Sequence, residues 1–307
     1  MAQPIAADKV SVVVPILNAA AHLEALLTAL QRQTPLPPSE IILVDSGSTD
    51  ASLAIAGKFA NTRIVPLSNF SHGRSRNLGA RAASGEIVVF LSQDALPKDN
   101  FWLQELLRPF FDPQTVGTYS RQIPWPDALF AEKFFLATRF PAGPAIRREK
   151  PARAELTLED VFFSNVSSAI RRSTLLRYPF DETLIMSEDQ KFSKDVLNAG
   201  YAVVYAPDSV VIHSHAYTLL SLFRRYFDSV YSLTQIFPAH GVGTSAAIGS
   251  SYIRKEALFV IRACPQKIPY YVCYNLAKAA AGVLAHLAPH LPKFLLRRLS
   301  LHSYHWK

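Results

Sequence analysis

Four carboxylates, two histidines and one arginine-rich segment carry the chemistry that this sequence offers. Asp94 lies in EIVVFLSQDALP, Glu86 to Pro97. Ile87 to Leu91 are apolar and β-branched or bulky, which predicts a buried strand. Ser92, Gln93 and Asp94 end the run, and Pro97 keeps the strand from continuing. A carboxylate at the carboxyl end of a buried strand stands where open α/β sheets bind ligands. It could ligate Mg2+ or Mn2+ against a pyrophosphate, or cap a helix starting near Lys98. Asp45 repeats the pattern: it ends Ile41 to Val44 and opens DSGSTD. There it could accept hydrogen bonds from a ribose hydroxyl or a base N–H, or build a turn that leads to a helix capped by Ser48.

The segment FSHGRSRNLGA holds His72, Gly73, Arg74, Arg76 and Asn77. Glycine lets a ligand approach the backbone, and the following helix N-terminus favours an anion, with Arg76 suited to a phosphate. Glu188 and Asp189 open an amphipathic pattern in MSEDQKFSKDVLNAG. Acidic residues stabilise a helix N-terminus through its dipole, and one facing a cleft can act as a general base. His213 and His215 end VVIHSHAYT two residues apart, so a continuing strand would turn both to one side. One of them could complete a metal site, and both could equally be structural.

The elements that must position these residues alternate. Strands are predicted at Val10 to Val14 (stopped by Pro15), Ile41 to Val44, Arg63 to Leu67 and Ile87 to Leu91. Helices are predicted at Ala19 to Gln31, Thr49 to Ala60 and Gly73 to Ala83. Such alternation with short links predicts an α/β fold, a mostly parallel sheet flanked by helices. Beyond Pro97 a helix is expected over Phe101 to Phe111 and a strand over Val116 to Ile123. The proline-rich stretch from Pro124 to Pro151 should end in a mobile basic loop carrying Arg147 and Arg148. Structure resumes over Val161 to Ile170. A helix over Asp189 to Asn198, stopped by Gly200, precedes two short strands, Ala202 to Tyr205 and Val210 to Ile212. From Leu219 the pattern is helical.

The chain has 307 residues, 49% of them hydrophobic, enough for one large domain or two modest ones. Its formal charge of +8 suits phosphorylated ligands, nucleic acid or an anionic membrane face. Cys264 and Cys273 form no disulfide framework or zinc spacing, which fits a reducing compartment. The residues up to Asp8 read as a loose tail without signal-peptide character. Ile268 to Ala288 is interrupted by Asn275, Lys278 and His286, so no membrane span is expected. The expected location is cytoplasmic. The mixed aromatic and basic residues around Phe223 to Phe227 and Phe294 to Arg298 suit contact with an anionic membrane, helical packing or a homodimer contact. VVVPILNA has no G-x-G-x-x-G turn, which argues against a dinucleotide oxidoreductase.

In their order and spacing, VVVPILN, VDSGSTD, RNLGARAASGE, FLSQDALP and SEDQKF resemble glycosyltransferase family 2, inverting enzymes of GT-A fold. The further set FSHGRSRNLGA, LSQDA, SNVSSAIRR, SEDQ and HSHAYT is similar to bacterial rhamnosyltransferases that use dTDP-L-rhamnose to build O-antigens. The resemblance implies a GT-A domain over residues 1–217 and a C-terminal helical region over 218–307 for acceptor, membrane or oligomer contact. It implies nucleotide-sugar binding by Pro15, Asn18, Asp45, Ser46, His72, Arg76, Asn77, Gln93 and Asp94. It implies Mg2+ or Mn2+ held by Asp94 and His215, Asp189 as base and Glu188 as its support. Ser92 stands where many relatives carry the first aspartate of an Asp-x-Asp pair. The implied partners are a glycan or lipid-linked oligosaccharide acceptor and the donor, not nucleic acid. A UDP-sugar donor, or a non-catalytic nucleotide-sugar binder, is the alternative.

Overall fold

The computed structural model describes residues 9–35, 37–153, 155–238 and 242–307, with side chains left aside at 242–251. The expected tail before residue 9 lies outside the described residues. The chain divides into two compact units. One comprises residues up to Trp125 with Arg139–Thr183 and Glu188–Ser214; the other comprises Pro126–Thr138, Leu184–Ser187 and His215–Lys307.

The first unit is built on a mixed, mostly parallel sheet. Its strands are β1 (Val10–Ile16), β2 (Glu40–Asp45), β3 (Thr62–Pro66), β4 (Ile87–Leu91), β5 (Leu96–Pro97), β6 (Thr115–Ile123), β7 (Ile146–Arg148), β8 (Ser167–Arg171) and β9 (Ala202–Ile212). Their order is β3-β2-β1-β4-β8-β6-β9-β5, with β7 beside β9. β3, β2, β1 and β4 are mutually parallel, β8 is antiparallel to β4 and β6, and β6 is parallel to β9. The carboxyl ends of β1, β2, β4, β6 and β9 and the start of β8 therefore share one edge. β4 is buried at every residue, so both sheet faces are covered.

Among the described residues six α-helices belong wholly to this unit: α1 (Ala20–Gln31), α2 (Ser52–Ala56), α3 (His72–Ala82), α4 (Trp102–Leu107) and, after α5 (Phe130–Arg139), which leaves only its last residue here, α6 (Arg172–Arg177) and α7 (Glu188–Asn198). Leu23, Leu26, Leu27 and Leu30 of α1 join Val12, Val14, Leu43 and Val89 in one core. α3 sits so close to the sheet that a Cβ at Gly79 would fall 2.2 Å from Val13 Cγ1, which only glycine avoids.

Several expected elements are redrawn. β1 runs through Pro15, beyond its last pair with β4 at Val13, where a missing N–H breaks no bond to that neighbour. The helix expected from Thr49 shrinks to α2, because Ser48 hydrogen-bonds Asp45 instead of capping it. Pro109 converts the end of the Phe101 helix into a 3-10 turn over Arg108–Phe111. Leu96 and Pro97, expected to lie outside any strand, form β5 against Ile212 and Val211. The two late strands are one, β9, with an irregular register between Ser120 and Arg121 of its partner absorbing the break.

The expected basic loop is in part β7, paired with Val203 to Tyr205. Arg147 is ion-paired with Asp112 and Glu149, and Arg148 donates to the Tyr119 hydroxyl at 2.6 Å with its guanidinium over Tyr119 and Phe162. These partners, distant in sequence, hold a segment that its prolines suggested was loose.

The second unit is helical: most of α5, then α8 (Leu219–Ile236), α9 (Val242–Ala263), α10 (Ile268–Leu287) and α11 (Lys293–Leu299). Its core joins Ile185, Phe227, Ala281, Ala285 and Trp306. Asp228, fully buried in α8, accepts from Leu301 N, His302 N and His302 Nδ1 at 2.9–3.1 Å, tying the C-terminal segment to α8.

Candidate active site

The loops at the carboxyl edge of the sheet are fastened to one another. Asn18, just past β1 and in the left-handed region at φ 49°, accepts from Thr49 N through Oδ1 at 2.9 Å. Its own N–H donates to Ser48 Oγ at 2.9 Å. Asp50 accepts from Ala20 N at 3.0 Å and Ser52 Oγ from Ala19 N at 2.7 Å, so the β2 loop satisfies the first amides of α1. Gln93 clamps Leu17 from the other side, accepting from its N–H at 2.8 Å and donating to its carbonyl at 3.2 Å. Asp45 turns its carboxylate into its own loop, accepting from Gly47 N, Ser48 N and Ser48 Oγ. Ser46 keeps a buried hydroxyl with no partner among the described residues.

The acidic pair opens α7. Glu188 is buried and receives Arg76 Nη1 at 3.1 Å and Asn165 Nδ2 at 3.3 Å. Arg76, equally buried, also donates to His72 O at 3.2 Å. Asp189 accepts from Asn165 N at 3.1 Å and from Gln190 N at 2.8 Å. Burial pushes its carboxyl up to about 7, and the neighbouring Glu188 charge adds to the rise. A carboxyl with that affinity, oriented by two backbone N–H groups, is suited to accept a proton near neutral pH. Ser187, directly before the pair, is held at φ 64°, an uncommon backbone setting for a residue other than glycine.

Asp94 and His213 meet at 3.7 Å, Oδ1 to Nε2. His213 Nδ1 lies 3.0 Å from Gln122 Oε1, which can only accept, so Nδ1 carries a hydrogen and Nε2, on the Asp94 side, presents a lone pair when the ring is neutral. That neutral tautomer fits a metal ligand, and an oxygen acceptor on the other ring nitrogen, here that of an amide, is what orients such a histidine. His215 follows two residues on. With it, Asp94 and His213 make a group of donors able to hold a divalent ion. The His215 backbone N–H donates to the carboxylate of Glu132 in α5, and its ring lies 5.0 Å from Tyr217.

A hydrogen-bonded path joins the two groups. Gln122 donates from Nε2 to Ser164 Oγ at 3.0 Å, and the next residue, Asn165, contacts both members of the acidic pair. Asn165 and Gln122 were absent from the residues singled out in the sequence. Asn165 lies in SNVSSAIRR just before β8, and that segment's part in the family resemblance was its available signal. Gln122 has no local signal, because only the pairing of β6 with β9 brings it to His213.

The remaining expected residues are placed as follows. His72 is the first residue of α3, its ring 5.2 Å from Phe70. Asn77 commits its amide to the protein: Nδ2 donates to Phe180 O at 2.9 Å and to Glu182 at 3.1 Å, and Oδ1 accepts from Phe180 N at 3.0 Å. Gly73 admits this segment, since a Cβ there would fall 2.5 Å from Asp181 O. Pro15 is part of β1 at the same edge.

The sheet order and the carboxyl-edge carboxylates define a GT-A-like α/β enzyme. A solved mannosyltransferase from Pyrobaculum calidifontis, in complex with GDP-Man and Mn2+, matches with a TM-score of 0.56 at 19% identity. The match covers 97% of this chain and 84% of that one. Residues 11–177 match the family Glycosyl transferase family 2. The O-antigen chain rhamnosyltransferase RfbN of Salmonella typhimurium is 30% identical over 97% of this chain and 96% of its own length. The O-antigen chain rhamnosyltransferase WbaN of Salmonella anatum is 32% identical over 96% of this chain and 95% of its own length. The chain belongs to glycosyltransferase family 2, and it is a glycosyltransferase.

Proposed function

We propose that this protein moves L-rhamnose from dTDP-L-rhamnose, with inversion, to a hydroxyl of a glycan or lipid-linked oligosaccharide in the synthesis of a cell-surface polysaccharide. The reaction class follows from the family. The sugar and the pathway rest on two rhamnosyltransferases that align over nearly the whole of both chains. The observation that carries the mechanism is Asp189, a carboxyl raised to about 7 and aimed by two backbone N–H groups.

In this reading the Asp189 carboxylate accepts the proton of the acceptor hydroxyl. The hydroxyl oxygen forms its bond to the anomeric carbon as the bond to the diphosphate oxygen breaks on the opposite face, and the nucleoside diphosphate leaves. Glu188 lies beside Asp189 as its support, held in place by Arg76 and Asn165. Pro15, Asn18, Asp45, Ser46, Gln93 and His72 form the nucleotide side, and Asn77 fixes the start of α3 against Phe180. Asp94 and His213, with His215, would hold Mg2+ or Mn2+, which when bound neutralises charge on the diphosphate. A lipid-linked acceptor would bring the protein to the cytoplasmic face of a membrane as a peripheral enzyme. No helix among the described residues is long and apolar enough to cross one.

The test is a thermal-shift series of nucleotide sugars with Mg2+ or Mn2+, followed by acceptor-dependent nucleotide release. Stabilisation by dTDP-L-rhamnose, and dTDP release that rises with a glycan acceptor, are expected. Stabilisation by UDP-sugars or GDP-mannose alone would overturn the donor. Tight donor binding without release in the presence of acceptor would leave a binder.

A further inference from the structure

α10 reverses the usual arrangement of a surface helix. Tyr270, Tyr271, Tyr274 and Lys278 are turned toward its neighbours, partly buried. Lys278 Nζ lies 5.0 Å from the Tyr274 ring and 5.4 Å from those of Tyr226 and Tyr252. Ala281 and Ala285 enter the core beside Phe227. The aliphatic residues are outside: Ile268, Val272, Leu276, Val283 and Leu287, with Leu276 64% exposed and each of the others at least 38%. Their spacing of four, four, seven and four residues draws a single stripe along the helix. On α9, Leu258 and Ile261 are also exposed, flanked on their own face by Arg254 and Arg262.

The exposed charge of this C-terminal stretch has one sign. Residues 242–307 hold nine Lys and Arg and a single acidic residue, Glu256, whose side chain is fully buried. Arg254, Lys255, Arg262 and Lys267 are exposed and make no ion pair among the described residues. An aliphatic stripe in a stretch, residues 242–307, whose exposed charged side chains are all cations matches an anionic bilayer interface, where apolar side chains enter the acyl boundary and cations meet headgroups. A second copy of this chain fits less well, because an isologous contact would set the same cations against themselves. α10, with 20 residues and about 30 Å of length, is shaped to lie in the interface plane.

We infer that the exposed face of α9 and α10 docks on anionic lipid, with the stripe of α10 inserted at the interface. The inference names the surface for the membrane contact proposed above and rests on that reading. Its test needs neither donor nor acceptor, so failed docking and failed transfer are read separately.

The full chain is floated with vesicles of phosphatidylcholine alone and of phosphatidylcholine with phosphatidylglycerol. Flotation is expected with the anionic vesicles only. The double variant Leu276→Glu with Val283→Glu, and separately Arg254→Glu with Arg262→Glu, should each lower the floated fraction at least about tenfold, since each removes one of the two attractions that such binding combines. Melting temperature and nucleotide release on a soluble acceptor should stay at wild-type values, because all four side chains are solvent-facing. A wild-type chain that stays unbound with anionic vesicles overturns the inference, and so do variants that float as the wild type does. If sedimentation instead finds a dimer that Leu276→Glu with Val283→Glu dissolves, the face is a self-contact and the lipid proposal falls.

Discussion

Glu188 of the α/β unit and Glu256 of the helical unit are both buried carboxylates, yet they are met differently. Glu188 receives a guanidinium and an amide, from Arg76 and Asn165. Glu256 has one oxygen 3.4 Å from the Tyr252 hydroxyl, and its other oxygen finds no partner among the described residues. Its cation, Lys278, sits among tyrosine faces, and burial is the main cause moving both groups toward neutrality, Glu256 upward and Lys278 downward. At the acidic pair of α7 the fold supplies directed hydrogen-bond donors that keep a charge in one place. Where helices merely pack, π-faces and weak contacts suffice for a charged group turned inward. The outer surfaces follow suit: the α/β unit ion-pairs its arginines 139, 147 and 153, while α9 leaves its own exposed.

The sharpest way to test this contrast is Asp189→Asn. Loss of a general base costs about 10²–10⁴-fold in rate, so acceptor-dependent nucleotide release should fall by that factor while donor binding persists. Below pH about 7 the wild-type rate should decline, because the carboxyl becomes protonated. Stability has the opposite sign. The folded carboxyl holds its proton more tightly than the unfolded one, so its contribution is full below the unfolded value near 4 and is lost as pH rises through about 7. Asp189→Asn should therefore melt higher than wild type at pH 8, with the gap closing in acid. A variant that loses donor affinity but keeps its transfer rate would sink the assignment.

Arg76→Met asks how much the directed partner matters. Removing one member of a buried pair leaves an uncompensated charge and costs about 3–5 kcal/mol. Lys278→Met removes a cation already shifted toward neutrality and held by rings, for which about 1–2 kcal/mol is expected. Melting of the two variants beside wild type gives the comparison. Equal losses would mean that the two units treat buried charge alike.

Much of this layout was legible because it is periodic. The leucines of α1, the apolar runs of β1, β2 and β4 and the acidic start of α7 announce themselves within a few residues. Asp94 was found because an apolar run ends beside it. What escaped depends on contacts between distant segments. Asn165 meets Glu188 across 23 residues, and Gln122 meets His213 across 91. Ser48 looked like a helix cap, and only the fold reveals that Asp45 and Asn18 take it, shortening α2. Arg147 and Arg148 looked loose until Asp112 and Tyr119 came to meet them.

Gln122→Leu addresses that hidden layer. Its amide fixes the ring of His213, and loss of such an outer partner lowers metal affinity by about 10–100-fold. Calorimetric titration with Mn2+ reads this without any transfer assay. Unchanged affinity would show that Asp94 and the histidines need no support from β6.

The smallest effect expected is in the helical unit, from Glu256→Gln. The change is nearly isosteric, and one carboxylate oxygen has no partner to lose, so melting should stay within about 1 kcal/mol of wild type at neutral pH. Its informative part is the slope. Burial raises the folded affinity of Glu256 for its proton, so the wild-type side chain contributes fully in acid, below the ordinary carboxylate range, and loses that contribution as pH rises through the raised value. Glutamine has no such slope. The melting temperature of the variant minus that of wild type should therefore grow more positive from acid to alkaline pH. The opposite slope would mean that the attraction of Lys278 outweighs burial, and that the helical unit, like the α/β unit, holds a true ion pair.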